Sequence, residues 1–336
     1  MKWLQLTASL VVLAVLGWAF RDELDFLKEG LSTLRHADPW GILVVVLTTA
    51  AAITAMSEVM RLLIRSGGVN VPLRETTAVT LASNSWSTTL PAGPAFSAVL
   101  TFNVQSGWGC SVMLCGWFFV LSSAISTMWL VMIGLAGVLL LNADMAFWSL
   151  VSTLLLMLGL SAALFWLSNN PRRVEAWLNH QRLLKGTKRE AVIKQVRNLE
   201  EVHVNRYEFS RVLVFSLLHR FLDMVSLWAC VWAITGDIPA LRAGEDQTTT
   251  AGIAIAYLTA KLAGSAQVTP AGLGTVEAAI IATLVAMGMT AVDATGAAII
   301  YRLISFAAVT AVGWVVYFLH YARKGMTYAA LSRKET

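Results

Sequence analysis

The feature that most constrains this chain is a succession of apolar runs that reach or approach the ~20 residues a helix needs to span a hydrocarbon core. They lie at Leu4 to Phe20, Trp40 to Met60, Cys110 to Leu141, Phe147 to Leu167, Val212 to Thr235 and Ala294 to His320. Hydrophobic residues make up 57% of the 336 and charged residues 13%, about half the charged share of a soluble domain. The sequence therefore reads as an all-α polytopic membrane protein, a single transmembrane domain over residues 1–336 with about six full spans. It excludes a soluble enzyme, a disulfide scaffold and a nucleic-acid module, because no segment between the runs is long enough to build a core of its own. Cys110, Cys115 and Cys230 all fall inside apolar runs and read as small core residues.

Charge sets the orientation. The loop 168–211 holds ten Lys/Arg against five acids, and Arg323, Lys324, Arg333 and Lys334 follow the last run. Arg61, Arg65 and Arg74 form a third basic stretch. By contrast, Arg21 to Asp38 and Gly236 to Gln247 are acidic on balance. Basic short loops mark the cytoplasmic side, where they face anionic inner-leaflet lipids. Both termini are then cytoplasmic. Leu4 to Phe20 also resembles a signal peptide, with Gly17-Trp-Ala19 as a small-x-small match. With only Lys2 ahead of it, an uncleaved first span is favoured. Leu24, Leu27, Leu31 and Leu34 then suggest a short amphipathic helix on the outer surface. In the basic loop, Val174, Trp177, Leu178 and Leu184 among the cations fit an amphipathic helix on the inner leaflet or a solvated helical hairpin.

Two apolar regions remain, 76–107 and 248–290, and each must cross an even number of times to keep the basic loops on one side. Each is broken in its middle, at Pro91, Gly93 and Pro94 in the first and at Pro270, Gly272 and Gly274 in the second. Most of their arms are too short for a full span. The economical solution is two re-entrant helical hairpins whose tips are buried or line a wet cavity; two ordinary helix-turn-helix pairs are the alternative. Leu90-Pro-Ala-Gly-Pro and Thr269-Pro-Ala-Gly-Leu also resemble one another. Parity has the two hairpins enter from opposite faces, which gives the inverted repeat typical of secondary transporters.

Three cations fall inside apolar runs: Arg220, Lys261 and Arg302. Each costs about 2.5–3.5 kcal/mol at a helix centre and should face a partner or a cavity. Arg220 could pair with Asp223 on its own helix, and Lys261 with Glu277 across the second hairpin. Arg302 has no acid at helical spacing and is the strongest candidate for a ligand contact. Glu58, beside Arg61, reads as an interfacial residue. Asn84, Asn103, Gln105 and Gln267 could bind a head group or join neighbouring helices. A phosphate-loop motif, H-E-x-x-H and a dinucleotide fingerprint are all missing. No enzymatic activity, catalytic residue, cofactor, metal, nucleotide or nucleic acid is expected.

The second hairpin, Pro270-Ala-Gly-Leu-Gly-Thr-Val-Glu-Ala-Ala, followed by Tyr301-Arg302-Leu-Ile-Ser-Phe, resembles the signature of the lysylphosphatidylglycerol synthase transmembrane-region family. That family includes the flippase half of the multiple peptide resistance factor. Leu90-Pro-Ala-Gly-Pro is similar to its other Pro-Gly motif. The resemblance implies movement of phospholipid or polyprenyl-phosphate lipids between leaflets of a bacterial plasma membrane, with Glu277 and Arg302 at matching positions. Pro94 stands where the family usually has glycine, and Asn103 and Gln105 where basic residues are common. The soluble aminoacyl-transferase domain of fused members has no counterpart here, so synthase activity is not implied. The expected function is a lipid flippase, with a head-group path lined by Arg302, Arg220, Lys261, Asn84 and Gln267. Glu277 or Asp223 would exchange a proton. A polyprenyl-phosphate-linked sugar is the favoured cargo, aminoacylated phosphatidylglycerol the second, and a small-solute secondary transporter the alternative.

Overall fold

The computed structural model describes residues 33–90, 93–140, 205–241, 246–265 and 272–322, with Gly159 and Gly244. The expected spans Leu4 to Phe20 and Phe147 to Leu167, most of the basic loop, the basic tail, Pro91, Gln267 and Pro270 lie outside the described residues. Among the described residues every regular element is helical. The first four are α1 (Pro39–Arg65, 27 residues), α2 (Leu73–Thr89, 17), α3 (Gly93–Gly107, 15) and α4 (Val112–Leu140, 29). The next four are α5 (Arg206–Thr235, 30), α6 (Thr250–Ser265, 16), α7 (Thr275–Ala286, 12) and α8 (Ala291–Tyr321, 31).

The order long, short, short, long thus occurs twice. At ~1.5 Å per residue the long helices measure roughly 40–46 Å and the short ones roughly 18–26 Å, against ~30 Å of hydrocarbon. α1, α4, α5 and α8 are long and apolar enough to cross a membrane, and they coincide with four of the six runs expected to span. α1 runs on to Arg65 and α5 starts back at Arg206. Their charged ends suit the helix dipole, with Arg65 in the last turn of α1 and Glu208 in the first turn of α5. Large apolar side chains such as Trp40, Leu47, Val112, Val214, Val312 and Leu319 are exposed along these four helices. Side chains of that kind suit a lipid environment and would be a liability in water.

The chain forms two compact units. The first takes Met1–Ala50, Leu81–Leu100 and Leu222–Thr336, the second Ala51–Thr80 and Thr101–Phe221. In the first, small and hydroxyl-bearing residues bring helices close, as expected where no hydrophobic effect drives association. Thr48 Oγ1 and Thr49 Oγ1 meet Ser226 Oγ at 2.8 and 3.2 Å, joining α1 to α5. Ser85 Oγ donates to the Thr310 carbonyl at 2.8 Å, and Trp314 Nε1 donates to Thr89 Oγ1 at 3.2 Å, joining α2 to α8. Gly313 lets that crossing close, because a Cβ there would run into Ser85 Oγ and the Leu81 carbonyl. Trp86, 1% exposed, packs edge-on against Tyr317 beside the same seam.

The second unit is held partly by charge. Glu58, expected at the interface, is 6% exposed and accepts from Arg61 Nη1 (2.9 Å) on its own helix and Arg211 Nη2 (3.2 Å) on α5. His219 Nδ1 lies 3.0 Å from the Ala52 carbonyl. Gln105 is fully buried, and neither of its amide atoms has a hydrogen-bond partner among the described residues.

Candidate functional site

α6 and α7 form an antiparallel pair. Gly252 faces Met287, Thr259 Oγ1 meets Thr283 Oγ1 at 2.9 Å, and Gly264 faces Val276. One register therefore holds from the open end to the turn. Gly272 (φ 66°) and Gly274 (φ 78°) take left-handed backbone conformations that a side chain would strain, which explains the Gly-Leu-Gly spacing. In the first Pro/Gly region, Gly93 begins α3 so close to the end of α2 that a Cβ would strike the Ser87 and Trp86 carbonyls. Pro94 is exposed at the start of α3.

The α6–α7 pair carries two charges of the site, and α5 and α8 supply the others. Lys261 Nζ on α6 lies 2.7 Å from Asp223 Oδ2 on α5. Tyr257 donates its hydroxyl to the same oxygen at 3.1 Å, and Tyr301 on α8 donates to Oδ1 at 2.8 Å. Three donors on two other helices thus converge on one carboxylate. Lys261 also stands over the Tyr257 and Tyr301 rings, 5.2 and 5.8 Å from their centroids, within reach of cation–π attraction.

The neighbouring residue on α8 makes the second pair. Arg302 Nε donates to Glu277 Oε1 on α7 at 2.6 Å, and its guanidinium lies 3.9 Å from the Phe306 ring centroid. Glu277 Oε2 is buried and has no hydrogen-bond partner among the described residues. Immediately after Arg302 the helix widens into a π-helical stretch, Leu303–Ala308. The Ser305 hydroxyl donates to the Tyr301 carbonyl at 2.5 Å, and such competition for a ladder acceptor bends or widens a helix.

These pairings correct three expectations. Asp223 meets Lys261, while Arg220 Nε donates to Ser126 Oγ at 2.8 Å in the second unit. Glu277 is taken by Arg302 and not by Lys261. Arg302, expected to lack a partner, is the most enclosed of the four charges. Its side chain is 7% exposed, against 14% for Glu277, 15% for Asp223 and 30% for Lys261. Lys261 is therefore the more exposed of the two paired cations. Asn84 is half-buried on α2 and its backbone carbonyl accepts from the Thr88 hydroxyl at 3.0 Å. The two tyrosines escaped the sequence reading, although Tyr257 precedes Lys261 by one helical turn and Tyr301 stands in the motif with Arg302.

Four long apolar helices define an integral membrane protein, and one compact unit of it gathers two cations and two carboxylates from four helices. The sequence matches the family described as the lysylphosphatidylglycerol synthase TM region over residues 5–313, and the chain belongs to that family. Its members are membrane domains linked to lipid handling. No curated protein matches the chain.

Proposed function

We propose that this protein is a flippase that moves a phosphate-bearing lipid between leaflets, with a polyprenyl-phosphate-linked sugar ahead of aminoacylated phosphatidylglycerol as cargo. One observation carries the reading. Two ion pairs, not isolated charges, line a short helical pair, and the more open cation, Lys261, is held by a carboxylate that a phosphate can replace. An anionic head group takes Lys261 from Asp223 without leaving a bare charge in a low-dielectric setting, provided Asp223 picks up a proton. Tyr257 and Tyr301 keep Asp223 hydrogen-bonded throughout. Glu277, with one oxygen unpartnered among the described residues, is the second candidate for proton exchange, and its protonation would release Arg302. The acyl or prenyl chains stay in lipid.

The repeated order long, short, short, long supports two re-entrant hairpins in an inverted repeat, because arms of roughly 18–26 Å fall short of the hydrocarbon thickness. The family match supports lipid cargo over a small solute. The test is reconstitution. Proteoliposomes should speed loss of outer-leaflet label from a phosphate-bearing lipid and have little effect on a neutral lipid of equal chain length. Exchange at the level of empty liposomes, with uptake of a polar solute, would replace the flippase by a solute transporter.

A further inference from the structure

The basic stretch at the end of α1 does more than mark a membrane face. Arg61, Arg65, Asn70, Val71 and Pro72 line a cavity of about 180 Å³ within the second unit. The space is open on one side and has ample room for one phosphate group. Arg61 and Arg65 are one helical turn apart, so both guanidiniums reach the same side of α1.

Their donors are mostly uncommitted. Arg61 spends a single nitrogen, Nη1, on Glu58, at 2.9 and 3.2 Å from its two oxygens. Its Nη2 and Nε have no hydrogen bond to a described residue, and neither has any nitrogen of Arg65, which is exposed. Glu58 pairs with Arg61 and is itself shared with Arg211. With the neighbouring Arg74–Glu75 pair, four guanidiniums stand against two carboxylates, a net positive field around an open space. Two planar forks suit the oxygens of a phosphate far better than a chloride or an apolar chain. The Asn70 amide adds a neutral donor to the lining. Val71 and Pro72 complete it, and proline has no N–H to leave unsatisfied.

We infer that this cavity is a phosphate-binding site, separate from the charged cluster of the first unit and sharing no residue with it. The occupant's defining chemistry is a phosphate carrying at least one negative oxygen, supplied by a lipid head group or by free phosphate in water. The inference does not depend on the flippase reading.

The full-length protein in nanodiscs of phosphatidylcholine alone, or with a minor fraction of phosphatidic acid, separates the sources. Native mass spectrometry counts retained lipid, and thermal unfolding in the phosphatidylcholine discs is followed as inorganic phosphate is added. Arg65→Gln and Asn70→Ala are the variants, since no described residue depends on either side chain for an ion pair. A lipid site predicts bound phosphatidic acid in the parent and about tenfold weaker retention in Arg65→Gln. A free-phosphate site predicts a rise in melting temperature with inorganic phosphate that Arg65→Gln removes, with sodium chloride at matched ionic strength as the control. Equal phosphatidic acid retention in parent and Arg65→Gln, together with no response to phosphate, overturns the site. Loss of transport with these binding results intact would overturn the flippase reading alone.

Discussion

Replacing Arg302 by alanine separates a structural ion pair from a ligand contact. Arg302 Nε and Glu277 Oε1 are 2.6 Å apart, with side chains 7% and 14% exposed, so deleting the cation strands a carboxylate in a nearly closed space. Breaking a buried pair in this way costs about 3–5 kcal/mol. At about 2 °C per kcal/mol for a chain of this size, the melting temperature should fall by roughly 6–10 °C. Glu277→Ala alone takes the carboxylate from a guanidinium that also stacks on the Phe306 ring, and should lower the melting temperature as well. The double variant removes both charges and should recover much of the loss, because no uncompensated charge of the pair is left buried. The assay is a double-mutant cycle of thermal unfolding in detergent, with transport measured on the same preparations. Additive losses, or a melting temperature for Arg302→Ala within a degree or so of the parent, would refute the pairing argument. Normal transport by a stably folded double variant would take both residues out of the proposed path.

Lys261→Ala should reduce lipid exchange to the liposome background with a smaller thermal penalty than Arg302→Ala, since its side chain is 30% exposed; a stable variant with full exchange would remove Lys261 from the path. Tyr301→Phe takes one of three donors from Asp223 and should cost about 1–2 kcal/mol in thermal unfolding. Gly313→Ala drives a methyl into Ser85 Oγ and the Leu81 carbonyl, and should cost about 1–3 kcal/mol; an unchanged melting temperature would contradict the close crossing of α2 and α8. Cysteines introduced at Gly186 and Ser332 should react with an impermeant reagent only from the cytoplasm, and those at Lys28 and Glu245 only from outside. Labelling of the Lys28 and Ser332 positions from the same side would sink the parity argument.

The long helices were legible because spanning a bilayer is a one-dimensional requirement: enough apolar residues in a row, with charges at the ends. α1, α4, α5 and α8 differ from their expected bounds mainly where charged first and last turns continue the helix beyond the apolar run. The short arms were legible for the opposite reason: proline is disfavoured inside a helix and Pro94 falls in the first turn of α3, while Gly272 and Gly274 adopt positive φ ahead of α7. Which cations would need partners was also readable, because Arg220, Lys261 and Arg302 stood out against apolar neighbours, and each has one. Who partners whom was not. Helical spacing detects acids only on the same helix, and every partner found for these cations is on another one: Ser126 for Arg220, Asp223 for Lys261 and Glu277 for Arg302.

That failure carries a physical lesson about the site. A lone arginine in a span looks like a ligand contact because nothing nearby in sequence offsets its cost. Once the helices assemble, the offset comes from α7, and the same reasoning then points away from Arg302 and toward Lys261. Asp223 is satisfied by Tyr257 and Tyr301 even if Lys261 leaves it, whereas Glu277 has only Arg302 on one oxygen and no hydrogen-bond partner for the other among the described residues. Of the two pairs, Asp223–Lys261 can therefore open at lower cost. On the flippase reading, a phosphate that engages Lys261 replaces one anionic partner with another, and the two tyrosines hold the displaced, protonated Asp223 in place. On the same reading, opening the Arg302 pair requires a proton on Glu277 or a second anion, which would make it a later step or part of the scaffold. The double-mutant cycle distinguishes those roles, because a scaffold pair can be removed whole and a transport step cannot.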